Sequence, residues 1–324
     1  MMQAADYRGL YAIIPTPAIP GAEDMTVRNT VDTAETERLL NRLIDDGVDG
    51  LITLGTTGEC ATLSETDYRT FAGCVVETVA KRIPVIMGAS ALGSATVGER
   101  LSFLTDLGVE GTLLGLPMWQ PASTRTAVGF FTEISRSFPD IAVMVYANKR
   151  AFRYEFPDEF WSAISESAPT VTAAKYSRPR DLTSLMKATK GRIHIMPNES
   201  TLTQFHEQSP ATTTACWATA AGMGPRPAKA LMKAVEDRDQ SAIARIDAAL
   251  KWANAPLKPY MGDPEIFALY NIQIEKARIN AAGYCNCGPV RPPYSEIPDE
   301  IARAAAECGA RWHTLCHSPT IDIP

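Results

Sequence analysis

Through the first two thirds of the chain, short apolar runs alternate with longer stretches in which apolar positions return every third or fourth residue. The runs, at residues 10–14, 50–54, 83–88, 111–116, 141–147, 171–176, 192–196 and 213–217, have strand character: short, partly β-branched and bounded by loops. The stretches between most of them, such as 33–46, 64–81, 94–107, 124–138 and 158–167, carry helical periodicity. Ser64 with Asp67 in the following turn reads as a helix N-cap with an acid beside it, and Gly47 and Gly108 stand where C-cap glycines belong. Eight strands alternating with helices predict an α/β fold, a parallel (β/α)8 TIM barrel. An open doubly wound sheet is the alternative; the barrel is favoured because eight strands fit it and no dinucleotide glycine fingerprint follows the first strand. Beyond about Pro225 the strand signal stops, and 225–235, 239–254, 263–283 and 298–317 read as helices. The first completes the barrel and the others form a C-terminal helical extension, giving an expected barrel over 1–237 that holds the site and a helical subdomain over 238–324 packed on it.

Composition narrows the function classes. The chain has 324 residues, 45% hydrophobic and 21% charged, with a net charge of −6. No basic excess points to nucleic acid and no Lys/Arg cluster to a membrane surface. No apolar stretch approaches the roughly 20 residues that span a bilayer, and residues 1–9 lack the order of a signal peptide. Seven scattered cysteines fit reduced thiols in a cytoplasmic protein better than a disulfide framework.

The most informative residue is Lys175, which closes the run Val171-Thr172-Ala173-Ala174-Lys175-Tyr176. A charge buried without a partner costs several kcal/mol, so an amine there tends to give up its proton and become a nucleophile toward carbonyls. One βα period upstream, another run brings Tyr146 to a strand end, so Tyr146 and Lys175 are expected on adjacent strands. After the second strand comes Gly55-Thr56-Thr57-Gly58-Glu59-Cys60, where hydroxyls and backbone N–H groups converge as a small carboxylate requires; a plain turn capping the next helix is the competing reading. Metal chemistry fits poorly. His313 and His317 lie far in sequence from the strand tips, and Cys285-Asn286-Cys287 is a lone C-x-C. Cys216 reads as a buried apolar residue.

Together, Pro15-Thr16-Pro17, Gly55-Thr56-Thr57-Gly58-Glu59, Tyr146 and Lys175 resemble the pyruvate-dependent class I aldolase superfamily, which includes dihydrodipicolinate synthase and N-acetylneuraminate lyase. The resemblance spans the whole chain. It implies that Lys175 forms an imine with the keto group of pyruvate, that Thr56, Thr57 and Gly58 hold the carboxylate, and that Tyr146 relays protons. The chain departs from the synthases at Tyr146-Ala147-Asn148-Lys149-Arg150, at Pro197-Asn198-Glu199-Ser200 and at Pro117-Met118-Trp119, where synthases carry paired tyrosines. With Trp217, the Met-Trp pair favours an aryl substrate. These features, together with 270–278 and 288–294, are similar to the trans-o-hydroxybenzylidenepyruvate and carboxybenzylidenepyruvate hydratase-aldolases of aromatic-hydrocarbon catabolism. That likeness implies Asn148, Trp217 and Asn271 as further site residues, with Trp119 and Trp217 flanking the aryl ring.

The expected chemistry needs no metal and no organic cofactor, only an amine whose ordinary pKa of about 10.4 is depressed by desolvation. The expected partners are an aryl keto acid and other copies of the chain, as a tetramer. Another superfamily member, such as a dihydrodipicolinate synthase or a sugar-acid lyase, and a non-catalytic keto-acid-binding barrel are the alternatives. Sequence leaves open whether the ortho group is hydroxyl or carboxylate, and which of Arg150, Arg153, Arg178 and Arg180, if any, faces it.

Overall fold

A computed structural model describes residues 1–117 and 119–323. Its strands are β1 (Gly9–Ile13), β2 (Gly50–Thr53), β3 (Val85–Gly88), β4 (Gly111–Leu114), β5 (Ala142–Tyr146), β6 (Val171–Lys175), β7 (His194–Met196) and β8 (Ala215–Ala218). The helices begin with α1 (Thr33–Asp45), α2 (Glu65–Val79), α3 (Ser94–Asp106), α4 (Thr124–Ser137), α5 (Lys149–Phe152), α6 (Asp158–Ser167), α7 (Leu182–Thr189) and α8 (Leu202–Gln208). They continue with α9 (Arg226–Glu236), α10 (Gln240–Asn254), α11 (Lys258–Met261), α12 (Pro264–Ala282) and α13 (Asp299–His317).

The strands form one eight-stranded sheet in the order β7-β6-β5-β4-β3-β2-β1-β8. A parallel bridge between Asn198 and Trp217 links the remaining two edges. This is the TIM-barrel-like class expected from the alternation of runs. The predicted helices start where their caps dictate: Asp32 accepts from the N–H of Glu35, Ser64 from that of Asp67 and Ser123 from that of Thr126. Gly47 and Gly108 take φ of +78° and +72° at the ends of α1 and α3, a conformation open to glycine at no steric cost. The strand over 50–54 stops one residue early because Leu54 turns into the left-handed region at φ +52°. The periodicity did not single out α7 and α8, which span only 8 and 7 residues.

Two compact units divide the chain. One comprises Met1–Gly9 with Pro84–Trp217, the other Leu10–Ile83 with the residues from Ala218 onward. In the first, β4, β5, β6 and β7 pair in parallel; Tyr146 lies opposite Lys175, and Lys175 opposite Met196, so three strand tips share one register. Aromatic edge-to-face contacts among Phe131, Tyr154, Phe156, Phe160 and Trp161 form much of the helix-side core.

In the second unit, α12 and α13 pack around Leu257, Ile274, Ile301, Ala305 and Cys308. The Tyr284 ring lies under Arg42, 3.9 Å away, and its hydroxyl donates to Asp46 at 2.7 Å, which fixes the tail to α1. The expected boundary at 237/238 is not where the compact units divide: α10–α13 share their unit with 10–83 and with α9. The His313 and His317 rings stack 4.1 Å apart, and His313 Nδ1 bonds the Ala282 carbonyl. None of the seven cysteines is joined in a disulfide, and Cys216 is fully buried. Among the described residues no helix is long and apolar enough to cross a membrane.

His194, at the N-terminal end of β7, carries a consequence for stability. Its ring stacks on Tyr7 with centroids 5.6 Å apart, and its Nε2 is buried without a hydrogen-bond partner. Burial, helped by the Arg8 guanidinium, lowers its pKa from 6.5 to about 4. The unfolded chain therefore binds the extra proton first, and stability falls as pH drops from 6.5 toward 4 while staying flat above 6.5. We expect His194→Phe to remove about 3 kcal/mol of that acid sensitivity. Urea unfolding at pH 7 and pH 4 checks it; an unchanged difference between the two pH values would refute it.

Candidate active site

The first unit holds the amine. Lys175 ends β6, half-buried, with Nζ 3.5 Å from the centroid of the Trp217 indole and 4.7 Å from that of the Tyr146 ring. Two π faces stabilise positive charge at this atom, by up to about 2 kcal/mol where water is excluded. Trp217 is fixed at three points. Its Nε1 donates to the Met196 carbonyl at 3.1 Å, its backbone N–H to that of Pro197, and its own carbonyl accepts from Glu199. Tyr146 is buried and packs edge-on against Phe152, 5.4 Å between centroids. Asn148 Nδ2 donates to the Tyr146 hydroxyl at 3.3 Å, while its Oδ1 accepts from the Ala151 N–H and so caps α5. Lys175, Tyr146, Asn148 and Trp217, each singled out from sequence, thus stand together.

Trp119 does not join them. It is 77% exposed, and its carbonyl accepts from Arg153 at 2.5 Å. Met118, its partner in the expected apolar wall, lies outside the described residues. Arg178 faces Glu155 and Asp181, and Arg180 faces Asp181, so both have carboxylate partners within the chain.

The second unit holds the turn. Leu54 and Glu59, both left-handed at φ +52° and +54°, flank Gly55–Gly58; each costs about 1–3 kcal/mol and persists only where its surroundings impose it. A Cβ at Gly58 would lie 2.8 Å from the Leu54 nitrogen, so only glycine fits. Thr57 is buried and Thr56 half-buried, and Thr16 donates to the Gly58 carbonyl at 2.8 Å. Beneath them Glu59, 0% exposed, pairs with Lys276 at 2.7 Å and Arg291 at 2.6 Å. Neither charge pattern nor spacing singled out these three; three charges scattered over more than 200 residues signal nothing until the fold joins them. Asn271 lies on α12, half-buried, one residue past Tyr270, where the helix kinks at φ −121°, ψ 16°.

A barrel with a lysine at the end of strand six, opposite a tyrosine on strand five, has the arrangement expected of a class I aldolase. The chain belongs to the dihydrodipicolinate synthetase family, whose sequence profile matches residues 20–164. It is 37% identical to a trans-o-hydroxybenzylidenepyruvate hydratase-aldolase of Pseudomonas putida, over 97% of this chain and 95% of that one. It is 35% identical to a trans-2'-carboxybenzalpyruvate hydratase-aldolase of Nocardioides sp. (strain KP7), over 95% and 94%. A solved structure of PhdJ bound to a substrate intermediate superimposes with a TM-score of 0.93 at 33% identity, over 97% of this chain and 98% of that one.

Proposed function

We propose that this enzyme is a lysine-dependent hydratase-aldolase, converting an ortho-substituted trans-benzylidenepyruvate and water to an aromatic aldehyde and pyruvate. The observation that carries the reading is the placement of Lys175 Nζ over the Trp217 indole and beside Tyr146, where a cationic imine is stabilised. Identity of 35–37% over nearly the full chain to hydratase-aldolases supports the substrate class.

The Lys175 amine attacks the C2 ketone and expels water, leaving a protonated imine conjugated with the C3–C4 double bond. Water adds at C4, and C3 takes a proton, which regenerates the imine with a hydroxyl at C4. Removal of the hydroxyl proton then breaks the C3–C4 bond. Its electrons pass into the imine, the aldehyde leaves, and the enamine is protonated at C3 and hydrolysed to pyruvate. The imine is the electron sink throughout, so the scheme calls for neither metal nor organic cofactor. Tyr146 moves the proton on and off the C4 hydroxyl, and Asn148, already bonded to the phenol, orients that hydroxyl or the water. Thr56, Thr57 and Gly58 are the carboxylate-binding turn. Trp217 supports the imine and one side of the aryl ring; Trp119, solvent-exposed here, is assigned to the other side, and Asn271 is carried over from the likeness to the hydratase-aldolases.

The pathway is breakdown of naphthalene- or phenanthrene-type hydrocarbons. We assign the enzyme to the cytoplasm, supported by seven thiols outside any disulfide, and to a homotetramer, carried over from the family resemblance. The test is kcat/KM for hydroxy- and carboxy-substituted benzylidenepyruvates against aspartate semialdehyde with pyruvate. We expect one of the benzylidenepyruvates to be cleaved at least about 100-fold more efficiently. Faster turnover of the semialdehyde would replace this reading with a synthase.

A further inference from the structure

We infer that Glu59, Lys276 and Arg291 are positioning residues, a buried ionic latch that sets the Gly55–Gly58 turn and with it the grip on the substrate carboxylate. The inference rests on the reading of that turn as the carboxylate site. Side chains of all three are at most 2% exposed. Buried ion pairs are often no more stabilising than apolar residues of the same volume, so their presence calls for a geometric reason.

The geometry supplies one. All five N–H groups of the Arg291 guanidinium are engaged. Nε donates to Thr30 Oγ1 at 2.7 Å, Nη1 to Glu59 Oε2 and the Thr16 carbonyl, and Nη2 to the Pro17 and Thr30 carbonyls. One side chain thereby ties the loop after β1 to the loop after β2. Glu59 returns the contact: Oε1 accepts from the Arg291 backbone N–H at 2.8 Å, and Oε2 also accepts from Lys276 Nζ, which donates onward to the Pro289 carbonyl. The left-handed backbone of Glu59 is thus held by its own carboxylate, while the Gly58 carbonyl before it is held by Thr16. Thr57 has a fixed neighbour on its C-terminal side and a buried site of its own. A fourth charge, Asp67, accepts from the Thr30 N–H at 2.7 Å, so two acids and two bases balance in this cluster. Lys276 also anchors the part of α12 that begins after the Tyr270 kink with Asn271, so the same latch sets that residue.

Two variants test it. Arg291→Lys keeps the charge and loses the planar fork. The double variant Glu59→Gln, Lys276→Met keeps the cluster neutral and decides the matter if the first does not fold. The readout is the pyruvate concentration that half-saturates borohydride-trapped adduct on Lys175, beside trapping of acetone, a ketone without a carboxylate. We expect half-saturation to rise about tenfold or more, as loss of charge-assisted contacts implies, with the adduct at saturating pyruvate and the acetone trap unchanged. Wild-type half-saturation in a folded variant would overturn the latch, as would equal losses for pyruvate and acetone. No adduct on the wild-type enzyme would instead remove the functional reading and the latch with it.

Discussion

Lys175→Ala loses turnover of benzylidenepyruvate by on the order of 10^4-fold or more, because every step of the scheme runs through a bond to this nitrogen. The fold should tolerate the change. Lys175 is the last residue of β6 and half-buried, and the strand pairing at this position is made by backbone. Removing the side chain from between two π faces loses only a local attraction. The chemical signature is sharper than the rate. Pyruvate with borohydride should add one reduced pyruvate unit to the wild-type chain at Lys175 and nothing to the variant. Lys175→Arg should behave like the alanine variant, since a guanidinium keeps the charge over Trp217 but remains protonated and cannot form the imine. Turnover by either variant within about tenfold of wild type would end the proposal of a lysine-centred mechanism.

The barrel was legible because its information is local. Each strand is a short apolar run, each helix a period of three to four, and Ser64, Gly47 and Gly108 mark ends by interactions within a few residues. Lys175 and Tyr146 were legible for a related reason: one βα period places two run-ending residues on neighbouring tips, and the register sets them opposite each other. What could not be read is what depends on contact across long stretches of chain. Glu59 meets Lys276 and Arg291 more than 200 residues away, and nothing in its own neighbourhood of the sequence points to them. Trp119 poses the opposite problem. An indole at a loop tip suggests an aromatic wall, but nothing local fixes where a loop side chain points, and here it faces solvent.

Tyr146→Phe should lower kcat by about 10^2- to 10^4-fold, the usual worth of a positioned proton carrier, while leaving imine formation intact. The two effects separate because the ring and the hydroxyl do different things. Phenylalanine preserves the edge-on packing against Phe152 and the ring face beside Lys175, which keep the strand tip and the cation where they are. It removes the oxygen to which Asn148 donates, and leaves that amide hydrogen without its partner. Trapping of pyruvate by borohydride should therefore continue at close to the wild-type level, whereas hydration and carbon–carbon cleavage, which each require proton transfer at the C4 oxygen, slow together. Single-turnover measurements with a benzylidenepyruvate resolve the steps: the imine absorbance should form and then persist. Asn148→Ala should give a milder loss in kcat, since the phenol remains, together with weaker capping of α5. If Tyr146→Phe instead abolished trapping while cleavage of preformed imine ran normally, the phenol would serve imine formation, and the proton-relay role at C4 would pass to another group.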